Sequence, residues 1–94
     1  MRESAIENKL TKAVKMMGGL PLKLISPSLV GLPDRMLLMP GGKIAFIELK
    51  APGQEMRPLQ MKRKRQLEDL GSPVYCIDDT KQIGGILDEI NGQM

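Results

Sequence analysis

The sequence predicts an α/β fold: one mixed central sheet, with elements in the order helix, three strands, helix, strand and an extra C-terminal helix. Three observations predict it. Apolar residues recur at helical spacing in three separate stretches. Short apolar or β-branched runs lie between them, each bounded by glycine, proline or serine. The chain has 94 residues, enough for one domain near the lower end of lengths that bury a self-sufficient core.

The first helix is expected over residues 4–17, where Ile6, Leu10, Ala13, Val14 and Met17 share a stripe and Gly18-Gly19 ends it. Glu7 sits at the edge of that stripe and has two readings. It can point past the core into a cleft, or it can close a capping box with Ser4, bonding the Ser4 amide. Glu3, one turn earlier, is the other acid available from this helix. Residues 20–25 form a first short strand carrying Lys23. The stretch 26–33 holds too many turn residues to continue it. It reads as a loop on the substrate side of the sheet with Ser26 and Ser28 open to phosphates, or as a plain connector.

The next two strands run from Asp34 and over residues 44–50, joined by a tight turn at Pro40-Gly41-Gly42-Lys43. A loop comes next, and then a helix from Arg57 or Pro58 to Leu70, since proline in the first helical turn costs little. Leu59, Leu67 and Leu70 are its expected buried stripe, Gln60 and Lys64 its flank, and Lys62 and Arg65 its outer face. Gly71-Ser72-Pro73 stops the helix before a strand over residues 74–77, and Asp78-Asp79-Thr80 offers caps to the last helix. Ile83, Ile86, Leu87 and Ile90 mark that helix as amphipathic, and Gly84-Gly85 within it suggests close packing against another element.

Composition excludes several chemistries. There is no histidine, so serine–histidine and cysteine–histidine nucleophile pairs and imidazole metal sites are ruled out. The single cysteine, Cys76, forms no intrachain disulfide and no cysteine zinc cluster, which favours an intracellular home. No apolar run is long enough for a membrane span, and no signal segment is recognisable. Aromatic residues are reduced to Phe46 and Tyr75, leaving eight methionines and the aliphatics to fill the interior. Such a core raises the expectation of dimerisation. Charge is uneven: residues 1–65 carry 13 basic and 5 acidic side chains, and residues 66–94 carry 1 and 6. A basic region is what a polyanionic substrate requires, although a solvated mixed surface gives the same totals.

Within that region three charged residues stand in apolar strands. Glu48 and Lys50 share a face with Ile44 and Phe46, because strand side chains alternate. Half-burying a carboxylate and an ammonium there is costly without a purpose. A three-residue loop at 40–42 sets Met39 opposite Lys43 and therefore Asp34 opposite Glu48, close enough for both carboxylates to hold one divalent ion. A two-residue loop turns Asp34 to the wrong face unless a bulge intervenes. With the first register, Asp34, Glu48 and Lys50 supply what phosphodiester hydrolysis needs without histidine. The carboxylates hold Mg²⁺ or Mn²⁺, which neutralises the transition state and acidifies water. Lys50 can orient or deprotonate the attacking water or stabilise the phosphorane oxygens. The Leu49 carbonyl is a further oxygen ligand, Glu7 can complete the metal shell, and Gln60 can fix a phosphate, the water or Lys50.

These residues carry a resemblance. Pro33-Asp34, a gap, and Glu48-Leu49-Lys50 resemble the signature of the PD-(D/E)XK nucleases. The fuller string, Gly31-Leu32-Pro33-Asp34-Arg35, Phe46-Ile47-Glu48-Leu49-Lys50-Ala51-Pro52-Gly53 and Leu59-Gln60, resembles the virus-type replication-repair nuclease (VRR-NUC) domain. The match spans Glu7 to about Ile77, with leucine where valine is commoner after Gly31. It implies a restriction-endonuclease-like αβββαβ core and metal-dependent cleavage of DNA. Asp34 and Glu48 would be metal ligands, Lys50 the catalytic lysine, Gln60 the motif glutamine, and Glu7, or else Glu3, the first-helix acid. Small stand-alone members, often viral, resemble homodimeric Holliday-junction resolvases. Branched DNA is then the expected partner, with contacts from Lys23, Ser26, Arg35, Arg57, Lys62, Lys64 and Arg65, and no organic cofactor. The basic run 62–65 also has the plainer reading of a solvated helix face.

Overall fold

In the computed structural model, which describes residues 1–92, a helix leads into an antiparallel hairpin system that a second helix extends by one parallel strand. The elements are α1 (Glu3–Met16), β1 (Leu20–Lys23), β2 (Arg35–Met39), β3 (Lys43–Leu49), α2 (Pro58–Asp69), β4 (Val74–Ile77), a 3-10 turn (Thr80–Gln82) and α3 (Ile83–Asn91). Sheet order follows chain order, β1-β2-β3-β4. The first two pairings are antiparallel and the third is parallel, with α2 as the crossover that a parallel pair needs. The expected α/β order is the observed one.

The β2–β3 turn decides the register. Gly41 and Gly42 take φ of +85° and +77°, which a residue with a side chain adopts only under strain. Pro40, Gly41 and Gly42 thus make a three-residue loop, and Met39 faces Lys43. The last ladder pair is Arg35 with Ile47, so Asp34, one residue earlier, stands level with Glu48. The three-residue version of the turn is the one the chain uses.

One face of the sheet is the core. Ile6, Leu10 and Val14 of α1 and Ile83, Leu87 and Ile90 of α3 pack on Leu37, Met39, Ala45, Ile47, Leu49 and Ile77. By alternation the other face carries Leu20, Leu38 and Ile44 in one row and Leu22, Met36 and Phe46 in the next. Glu48 and Lys50 lie on this second face, away from α1 and α3.

Three expectations need correction. No described residue of α2 is buried: Leu59 is 38% and Leu70 83% exposed, because the helices that fill the core come from the opposite face and α2 meets the sheet mainly at β4. Gly84 and Gly85 do not mark close packing, since a Cβ at either would meet nothing within 4 Å. The capping box at Ser4 does not form either. Helix α1 starts one residue earlier, with Arg2 in the cap position, and Glu7 is used elsewhere. No described helix is long and apolar enough to cross a membrane.

Candidate active site

The site is built where β2 begins and β3 ends. Pro33 is buried and the chain enters β2 through Asp34, whose carbonyl accepts from the Leu24 amide at 2.9 Å. Its carboxylate Oδ2 accepts from the Leu49 amide at 2.8 Å. That bond fixes the Asp34 side chain against the strand that carries Glu48.

Glu48 is 2% exposed and is the buried charged residue of the chain among those described. Its Oε2 lies 3.3 Å from Lys50 Nζ, while Oε1 is enclosed with no hydrogen-bond partner. Burial, and after it the charge and hydrogen bonding of the adjacent Asp34 carboxyl, push the Glu48 pKa up to about 7; Lys50 opposes the shift. A buried carboxyl whose ionisation is opposed by burial and by a neighbouring carboxylate is poised to gain from a cation. Cys76 is the cross-strand neighbour of Glu48 on β4, and burial, with the Glu48 charge second, raises its thiol pKa. It is therefore held as a thiol, not a nucleophile.

The donor set fits a hard divalent ion. An enclosed carboxylate oxygen without a partner is a costly arrangement in a protein interior, and a cation is one way to satisfy it. The oxygens of Asp34 and Glu48, with a backbone carbonyl such as that of Leu49, are the ligands Mg²⁺ and Mn²⁺ prefer. No three His, Cys, Asp or Glu side chains converge among the described residues. An ion that keeps several solvent or phosphate oxygens is compatible with so few.

Other expected site residues lie elsewhere. Glu7 does not join the pair. Its Oε2 accepts from both Nε and Nη2 of Arg35, each at 3.1 Å, and Arg35 Nη1 donates to the Pro21 carbonyl at 2.8 Å. Arg35 is the neighbour of Ile47 on the core side, which is why α1 can reach it and why both side chains are drawn away from the open face. The guanidinium expected to contact DNA is thus engaged inside the fold, tying α1, β1 and β2 together. Gln60 does not touch Lys50: its Oε1 accepts from the Arg57 amide at 2.9 Å and caps α2. Its amide NH₂ keeps both donors.

The basic candidates divide in the same way. Lys64 is paired with Glu68 at 2.7 Å. Lys23, Arg57, Lys62 and Arg65 are exposed, and Ser26 is half-buried in the loop between β1 and β2. Asp78, expected only as a helix cap, accepts from the Gly53 amide at 3.3 Å and holds the loop after Lys50 to the end of β4. The place of Cys76 beside Glu48 is visible only once β3 and β4 are known to be neighbours.

Comparison with known proteins agrees with this geometry. No protein-family profile matches the chain. The curated protein "Putative nuclease p44" of Acyrthosiphon pisum secondary endosymbiont phage 1 is 38% identical over 91 residues, covering 97% of each chain. A solved structure described as "VRR_NUC domain" superimposes with a TM-score of 0.85 at 24% identity, over 92% of this chain and 94% of that one. The mixed four-stranded sheet with its three helices is the restriction-endonuclease-like fold of that domain. With this fold, a nuclease relative along nearly its whole length and the Pro-Asp and ExK elements in register, the chain belongs to the VRR-NUC family of PD-(D/E)XK nucleases.

Proposed function

We propose that this nuclease is a divalent-metal-dependent, structure-selective DNA endonuclease that acts on branched DNA, four-way junctions foremost, as a homodimer. One observation carries the catalytic part: Asp34 and Glu48 meet on the sheet face away from α1 and α3, with Lys50 Nζ 3.3 Å from a Glu48 oxygen. The carboxylates of Asp34 and Glu48, with the Leu49 carbonyl, would hold Mg²⁺ or Mn²⁺, which when bound supplies Lewis-acid stabilisation of the phosphate under attack.

The chain's own groups do the rest. The Leu49 amide orients the Asp34 carboxylate from behind. Lys50 counters the charge of Glu48 and stands where it can orient the attacking water or stabilise the oxygens of the phosphorane. Gln60, with two free donors at the start of α2, can hold a neighbouring phosphate. Arg57, Lys62 and Arg65, exposed on α2 and at its start, and Lys23, exposed at the end of β1, give the polyanion a basic border. Cutting both strands of a junction symmetrically takes two such sites. A twofold pair of chains provides them.

The test is a substrate panel. The protein is incubated with labelled four-way junction, flap and linear duplex, in Mg²⁺, in Mn²⁺ and in EDTA. Junction cleavage that needs metal and disappears in Lys50→Ala, while binding persists, is the expected result. Equal cleavage of flap or duplex would move the substrate to those forms. Binding without cleavage in either metal would make the chain a DNA-binding module.

A further inference from the structure

Helix α2 carries an apolar stripe that the single chain does not cover. Leu59, Arg63, Gln66, Leu67 and Leu70 fall on one face of it by helical spacing. The first part of that face is fastened to the loop before β2. A Cβ on Gly31 would lie 2.7 Å from Leu59 Cγ, and Arg63 Nε donates to the Val30 carbonyl at 2.9 Å. The remainder, Leu67 and Leu70 with Leu29 and Leu32, walls an open groove of about 470 Å³ whose polar lining is Arg63, Gln66 and Asp69. Leu70 is 83% exposed beside it.

The charges of α2 point to what covers this face. A helix is stabilised by acids in its first turn and bases in its last. Here the ends are reversed, with Arg57 at the N-cap and Glu68 and Asp69 in the last turn, while residues 62–65 are basic in the middle. The layout therefore works against the isolated helix. It becomes favourable beside a second α2 running the opposite way, where basic and acidic halves alternate. A parallel copy would set base against base, and a polyanion would gain nothing from the leucines. Lys62 and Asp69, seven residues apart, lie on the same flank, and Asp69 has no partner among the described residues while Lys64 is already held by Glu68.

We infer that this face seats a second copy of the chain across a twofold axis near Gln66, with the two α2 helices antiparallel, Leu70 in the other copy's groove and Lys62 beside its Asp69. The inference rests on the homodimer reading above and adds the surface to it. It gives Lys62 to the second copy in place of the phosphate backbone. Arg57 and Arg65 remain for DNA.

Molar mass by light scattering across a dilution series, with circular dichroism as the check on folding, tests it. The wild type is expected to be a dimer. Leu70→Lys, at a side chain already in solvent, should raise its dissociation constant about tenfold or more. Asp69→Lys should weaken it as well, and adding Lys62→Asp to that variant should restore the dimer, which damage to the fold cannot do. A dimer indifferent to Leu70→Lys and Asp69→Lys overturns this interface and leaves the homodimer reading standing. A wild type that stays monomeric, free and on a four-way junction, overturns both, while its cleavage activity is read separately.

Discussion

Lys50 Nζ lies 3.3 Å from Glu48 Oε2, and the other oxygen of that carboxylate is enclosed without a partner. The pair is half of an arrangement. One oxygen is neutralised by the chain and the other is left without a partner. A core selected for stability alone would hold an aliphatic side chain here, as β3 does at its other enclosed positions.

The first prediction separates function from stability at this position. Glu48→Gln removes a buried charge that faces Asp34, so cleavage should fall by about a thousandfold. In EDTA at pH 8 the variant should nonetheless be as stable as the wild type or more stable, by about 1 kcal/mol, because ionising a carboxyl whose pKa is raised works against folding. Urea unfolding measures it. A variant clearly less stable than wild type in EDTA would mean that the ionised Glu48 supports the fold.

The second concerns pH. The Glu48 pKa is about 7 in the folded chain, above its ordinary value of 4.5, so the folded state binds the proton more tightly than the unfolded state. Stability without metal is therefore fullest below about pH 4.5 for this group and declines as pH rises through 7. Saturating Mn²⁺ should reverse the slope over the same window, since the ion displaces the proton. Thermal melts in EDTA and in Mn²⁺ between about pH 5 and 8 trace both curves.

Lys50→Ala should lower the rate of cleavage by about 10²–10⁴ with little loss of DNA affinity. It also removes the group that opposes the rise of the Glu48 pKa. The pH at which half the Mn²⁺ affinity is reached should therefore move upward. Single-turnover rates and a metal titration at several pH values distinguish this from a general loss of structure.

Glu7 and Arg35 are predicted to act on the fold. Arg35→Ala strands a half-buried Glu7 carboxylate and the Pro21 carbonyl, and should cost about 2–3 kcal/mol. Glu7→Gln should cost less and keep cleavage within about tenfold of wild type, against about a thousandfold loss for Asp34→Asn. If Glu7→Gln is as damaging to cleavage as Asp34→Asn while folding is intact, the acid leaves Arg35 during catalysis.

Arg57→Ala and Arg65→Ala should weaken binding to every DNA form alike, each reducing the slope of log affinity against log salt by about one. Fluorescence anisotropy at several salt concentrations reads this directly. An unchanged slope would make these side chains an ordinary solvated surface.

Much of the fold, and the register that sets Asp34 level with Glu48, were legible in the sequence because local rules acted alone. Gly41-Gly42 set the turn, the turn set the register, and the register put Asp34 level with Glu48. The stripes of α1 and α3 were equally plain, since both helices bury the spacing they display. Which helix faces which layer could not be read. The leucines of α2 looked like core because their spacing is that of a buried face, but nothing in the spacing says whether the covering element is in the same chain. The partner of Glu7 was hidden for a related reason. Its partner, Arg35, is 28 residues away and becomes a neighbour only when α1 crosses the start of β2. Gln60 had the right position and a nearer partner, the Arg57 amide, which any helix start offers.

The convergence of Asp34 and Glu48 on one cation is tested most directly by calorimetric titration of Mn²⁺ into the wild type, Asp34→Asn, Glu48→Gln and Glu7→Gln. The predicted result is a site that loses about tenfold or more in affinity in each of the first two variants and is unchanged in the third. Affinity that survives both Asp34→Asn and Glu48→Gln would contradict the account.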